Sequence, residues 1–95
     1  MFYFRRISGN SMLPVLKNGD YIVAIHYWKI AFKCNDIVVV QHPTFGEIIK
    51  RIAKIDNNGD FWLNGDGSDT LSSLTMGAIN KKSILGKMIW HIHPK

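Results

Sequence analysis

Cysteine is almost missing from these 95 residues: Cys34 stands alone. That excludes an intrachain disulfide and a cysteine metal cluster, and it fits a reducing compartment. Long apolar runs are missing too, since nothing approaches the roughly 20 residues of a membrane span. Met1-Phe2-Tyr3-Phe4 carries its charges, Arg5 and Arg6, behind a very short apolar stretch, the wrong order and length for a secretory signal. The expectation is a soluble, cytoplasmic domain. Acidic residues are few, 7 against 12 lysines and arginines, giving a formal net charge of +5. A basic balance favours acidic partners, but the basic residues are scattered and form no arm or basic helix. They read as solvated surface charge, and no nucleic acid is required as a partner.

Also absent is any sustained 3.6-residue apolar repeat. What is present is a 46% apolar content, enough for the core of one small domain spanning residues 1–95. It is arranged in β-branched and aromatic runs. Residues 21–28 read as a strand. Residues 36–41, with Ile37-Val38-Val39-Val40, read as a second strand buried on both faces. Residues 47–56 form a third, with Ile48, Lys50, Ile52 and Lys54 on one face and Ile49, Arg51, Ala53 and Ile55 on the other. Asn57-Asn58-Gly59 is a tight-turn signal, and Phe61-Trp62-Leu63 returns from it. Residues 83–92 supply the last strand, with Gly86 as a bulge or close-approach point. The one short helical piece is expected at residues 12–18, and residues 64–80 read as a long polar loop of the kind that carries function. Asn-Gly-Asp occurs at 18–20, 58–60 and 64–66 as repeated turn chemistry rather than an internal repeat. The expected class is mainly β, a small antiparallel domain.

Two segments carry chemistry. Ser8-Gly9-Asn10-Ser11-Met12-Leu13-Pro14 sets a serine in a tight turn, and Ile48-Ile49-Lys50-Arg51-Ile52 sets a lysine in an apolar run. A serine hydroxyl is a weak nucleophile until a base takes its proton. A lysine is such a base only when neutral, which requires burial away from water and carboxylates. On pattern alone, a turn serine is more often a structural cap and a strand lysine more often solvent-exposed.

These segments, in this order, resemble the boxes of the Ser/Lys peptidase superfamily that includes type I signal peptidases and the self-cleaving domains of LexA-type repressors. The stretch at residues 8–20 is similar to the nucleophile box, residues 36–40 to the following strand and residues 48–52 to the lysine box. Gly65-Asp66 with the loop to Gly77 is similar to the third box, and Ile84-Leu85-Gly86-Lys87 to the closing strand. Small maturation peptidases of nickel-type superoxide dismutase resemble the chain most, through residues 8–14 and His42-Pro43. The resemblance implies a serine endopeptidase without a cofactor. Ser11 would be the nucleophile and Lys50 the base, and a peptide of a protein precursor would add as an extended strand. Ser8 and the Ser11 and Met12 region would serve the oxyanion, and Thr70 would hold the lysine amine. The chain departs from the family pattern at Gly9, where some members carry a serine. It departs again at Ser72 and Leu74, where members carry a bracing Asp and Arg. A homodimer and peripheral contact with a membrane surface are compatible with this reading. Self-cleavage is disfavoured, because no DNA-binding domain precedes the box.

Other candidates are weaker. His91 and His93 share a strand face but lack a third ligand, so they read as surface histidines and no metal is expected. Asp56, Asn58 and Asp60 resemble the start of a calcium loop but lack its glycine and terminal glutamate, which leaves a hairpin turn. Phe2, Tyr3, Phe4, Tyr27, Trp28, Phe32 and Trp62 are expected mostly in the core, with an exposed subset able to dock a peptide or a membrane. Cys34 has no base beside it and reads as inert. The rival to catalysis is a peptidase-like module that binds a protein or nucleic acid.

Overall fold

The computed structural model describes residues 1–66 and 76–94. Its organising strand is the valine-rich one, β3 (Ile37–His42). Val38, Val39 and Val40 are fully buried, and alternate residues feed two cores on opposite faces of the sheet, as the period of 2 dictates. Val38 and Val40 pack with Ile52, Leu63 and Ile84, while Ile37 and Val39 pack with Ile22, Met12 and Leu16.

Around it stand β1 (Phe2–Arg6), β2 (Tyr21–Ile25), β4 (Gly46–Ile55), β5 (Phe61–Asn64), β6 (Ala78–Ile79) and β7 (Ile84–Ile92), with a 3-10 turn at Lys81–Ser83. They form one seven-stranded sheet in the order β1-β2-β7-β3-β4-β5-β6, and every pairing in it is antiparallel. The fold is therefore the mainly β, antiparallel domain expected. Register irregularities at Val23/Ala24, Val39/Val40 and Ile52/Lys54 add local twist and bend the strands. The sheet curls until β1 and β4, which are separated by three strands in its order, touch through Arg5 and Glu47.

Several expectations need correction. β1 was not foreseen. Residues 12–18 form no helix; consecutive turns carry the chain, with the Leu16 N–H donating to the Met12 carbonyl at 2.9 Å. The aromatic residues are not mostly core. Phe32 is buried and Tyr3 and Trp62 are half-buried, but Phe2, Phe4, Tyr27 and Trp28 are exposed, Trp28 by 84%. Their strand and turn positions point them away from both cores, although Phe4 stacks on Tyr21 with centroids 5.3 Å apart.

The hairpin at residues 56–61 is built on Asp56, whose carboxylate accepts the N–H groups of Asn58 and Asp60 and the Trp62 indole N–H. Those bonds, the one from Trp62 foremost, hold its pKa below the ordinary carboxylate value. Gly86 is a close-approach point, as expected: a Cβ there would lie 2.9 Å from the Ile25 carbonyl oxygen and 3.2 Å from the Tyr3 ring. Backbone blocks that space, so Gly86→Ala should lower stability by about 1–3 kcal/mol. A lower urea midpoint at unchanged slope is the expected measurement.

Candidate active site

The serine turn is fixed from beneath by apolar burial and at its base by one carboxylate. Met12 and Leu16 are 2% and 0% exposed, so the turn cannot lift without opening the core it shares with Val39. Gly9 adopts a φ of +86°, a left-handed conformation that suits glycine, and its N–H donates to the Asn18 side chain at 3.1 Å. A serine at that place would meet conformational strain, which gives a local reason for the departure from the family pattern.

The base of the turn is tied at Asp20. Its carbonyl accepts the Ile7 N–H, and the Gly19 N–H donates to the Ile7 carbonyl. Asp20 is 1% exposed, and its side chain is the group at work. It accepts the Lys17 N–H at 2.9 Å, His91 Nε2–H at 2.7 Å and His93 Nδ1–H at 2.5 Å. Burial alone would raise its pKa. The bonds from the Lys17 N–H, His93 and His91 outweigh that and hold the carboxyl well below the usual carboxylate range. The two histidines are thus not idle surface residues, as the sequence suggested; they clamp the serine box to β7. Among the described residues no group of side chains could hold a metal ion.

The lysine arrives on β4, opposite Val38 of β3. It is 5% exposed, and burial lowers the pKa of its ammonium from the ordinary lysine value. Its neighbour Arg51 forms a two-pronged ion pair with Asp66 at 2.8 and 2.7 Å and donates to the Asn35 carbonyl at 2.8 Å. Sequence reasoning missed this pair, which fixes the start of the third box beside the lysine. Its other end is held by His42, expected only as part of a His-Pro signature. His42 is buried, its Nδ1 accepts the N–H groups of Thr44 and Phe45, and its Nε2–H donates to the Met76 carbonyl at 3.0 Å. Thr70, together with Ser72 and Leu74, lies outside the described residues.

Ser11 and Lys50 both line a cleft of about 330 Å³ between two walls. One wall is residues 5–8 with Ser11 and Met12; the other is residues 47–50. Ser8 is exposed on the first wall. Met12 lines the first wall while its side chain is buried in the core. Among the described residues the Ser11 N–H has no hydrogen-bond acceptor, so it is available to a developing oxyanion.

Ser11 and the buried Lys50 thus line one cleft on a curled antiparallel sheet. The comparison with protein families is specific: the model of the Peptidase S24-like family matches residues 1–89, and the chain belongs to that family. Comparison with the curated proteins gives no match.

The Asp20 tie has a pH signature. Because folding lowers the Asp20 pKa, the stability its ionised form contributes is complete above the unfolded-state value of about 3.9 and is lost as pH falls from there toward the native value. Asp20→Asn should therefore be less stable than the parent at pH 7, with the difference shrinking as the pH drops below about 4. Paired urea titrations across that range read the difference directly.

Proposed function

We propose that the chain is a serine endopeptidase working through Ser11 and Lys50. The observation that carries this reading is the lysine: 5% exposed, its pKa lowered by burial, and on the wall facing Ser11 across one cleft. Neutral Lys50 accepts the Ser11 hydroxyl proton as Oγ bonds to the scissile carbonyl carbon. The Ser11 N–H receives the oxyanion. As the tetrahedral species collapses, the C–N bond breaks, and Lys50 returns the proton to the leaving amine. Water then attacks the Ser11 ester while Lys50 takes its proton. That proton passes back to Oγ as the acid product leaves.

The walls suit an extended peptide of a protein precursor. Among the described residues, the edge of β1 away from β2 has no strand partner, and neither does the Gly46–Lys50 half of β4 on the side away from β3. A strand entering the cleft meets open backbone groups on both sides, which supply affinity without demanding a particular sequence. Maturation of a precursor, as in the nickel-type superoxide dismutase peptidases, is one such role. His42 contributes nothing to the cleft in that case, because both its ring nitrogens serve the β3–β4 turn and Met76. No helix of the described residues is long and apolar enough to cross a membrane. The exposed Phe2, Phe4, Trp28 and Trp90 support peripheral membrane contact or a homodimer, and a cytoplasmic site belongs to the same proposal.

The test is incubation with a peptide library, with new termini read by mass spectrometry. Ser11→Ala and Lys50→Met should each lower cleavage by at least roughly 1000-fold while keeping circular dichroism and melting temperature near those of the parent. Cleavage that survives both substitutions, or none by the parent, would overturn the dyad and favour the binding module.

The pH profile follows from the sign of the lysine shift. Only the neutral amine is a base, so kcat/KM should rise with pH through the Lys50 pKa, at an apparent value below the ordinary 10.5 of lysine. A rate independent of pH between neutrality and that value would speak against Lys50 as the base.

A further inference from the structure

The cleft is strapped across its width. Arg5 of β1 and Glu47 of β4 join through two bonds, Nε to Oε2 at 2.8 Å and Nη2 to Oε1 at 3.0 Å. Both side chains are only about a third exposed, 35% and 36%. Both residues line the cleft; Glu47 lies three positions before Lys50 on β4, and Arg5 lies six positions before Ser11 on the other wall. On β4, at about 3.3 Å per strand residue, the strap stands roughly 10 Å from Lys50 along the cleft. A peptide strand seated between the walls passes this point.

The two halves of the strap are not equivalent. The Arg5 guanidinium has further anchors, Nη1 donating to the Phe4 carbonyl at 3.1 Å and the group lying 5.5 Å over the Tyr3 ring. Among the described residues Glu47 has no other side-chain partner. The fork is thus the better-anchored half, an oriented bidentate donor shaped for a carboxylate, on a protein whose net charge of +5 favours acidic chains.

We propose that Arg5 is a specificity-determining residue that binds an acidic side chain of the substrate strand, and that Glu47 occupies this subsite in the free protein. The proposal rests on the cleft being the peptide site, and its ligand class is a peptide bearing Asp or Glu within a few residues of the scissile bond. Exchange of one carboxylate for another leaves the Arg5 bonds intact, so the strap acts as a competitor that neutral and basic peptides displace less readily.

The experiment uses the full chain carrying Ser11→Ala, which retains bound peptides, and a degenerate peptide library whose retained members are sequenced by mass spectrometry. Acidic residues should be enriched at one position by about 10-fold, the scale of a charge-assisted bond. Adding Arg5→Gln should abolish that enrichment, Arg5→Lys should retain part of it, and Glu47→Gln should increase retention of acidic peptides. Melting curves confirm that each variant is folded, and Glu47→Gln supplies an independent reading should Arg5→Gln unfold. No acidic enrichment, enrichment of basic residues that depends on Glu47, or no retention of any peptide overturns the subsite. Acidic retention by Ser11→Ala without cleavage by the parent would sink the peptidase reading and leave the subsite standing. Cleavage without acidic preference would do the reverse.

Discussion

A buried carboxylate holds the serine box in place. Asp20 accepts three hydrogen bonds, from the Lys17 N–H and from two histidines near the end of the chain, and these partners offset the cost of removing an ionised group from water. The turn before it is free to present Ser11 because its two ends are fixed to each other by the Ile7 and Asp20 backbone bonds and its middle is sunk by Met12 and Leu16. Rigidity is thus supplied to the turn from below.

The lysine is held by a different device. β3 is buried on both faces, so β4, its neighbour, carries Lys50 into a place that water reaches poorly. A strand lysine is normally a soluble ornament. Here the adjacent Arg51 keeps its charge by pairing with Asp66, while Lys50 is pushed toward neutrality by burial. Two neighbouring cations are thus pushed in opposite directions, Arg51 up chiefly by its bond to Asp66 and Lys50 down by burial.

Much of this was legible in the sequence. The run at residues 37–40 announces a doubly buried strand, Asn57-Asn58-Gly59 announces its turn, and Gly86 announces close approach. Ser11 and Lys50 stand out by type and neighbours, and the family pattern joins them. The strand at residues 2–6 was not legible, because its large apolar side chains, Phe2 and Phe4, face outward and its half-buried ones are Tyr3 and Arg5, the reverse of the usual alternation. The partners of Asp20 lie 71 and 73 positions away and the strap spans 42. Such pairings follow from the order of strands in the sheet, which no local pattern encodes.

Two of the three bulges lie between the walls in the order of strands, and there they take on a mechanical meaning. Jaws on β1 and β4 belong to opposite regions of one continuous sheet, so the gap between them is set by curvature accumulated across β2, β7 and β3. The sheet is a caliper whose opening is adjusted far from its tips. Side chains packed around those bends set the width of the cleft from a distance, since none of Val23, Ala24, Val39 and Val40 lines it.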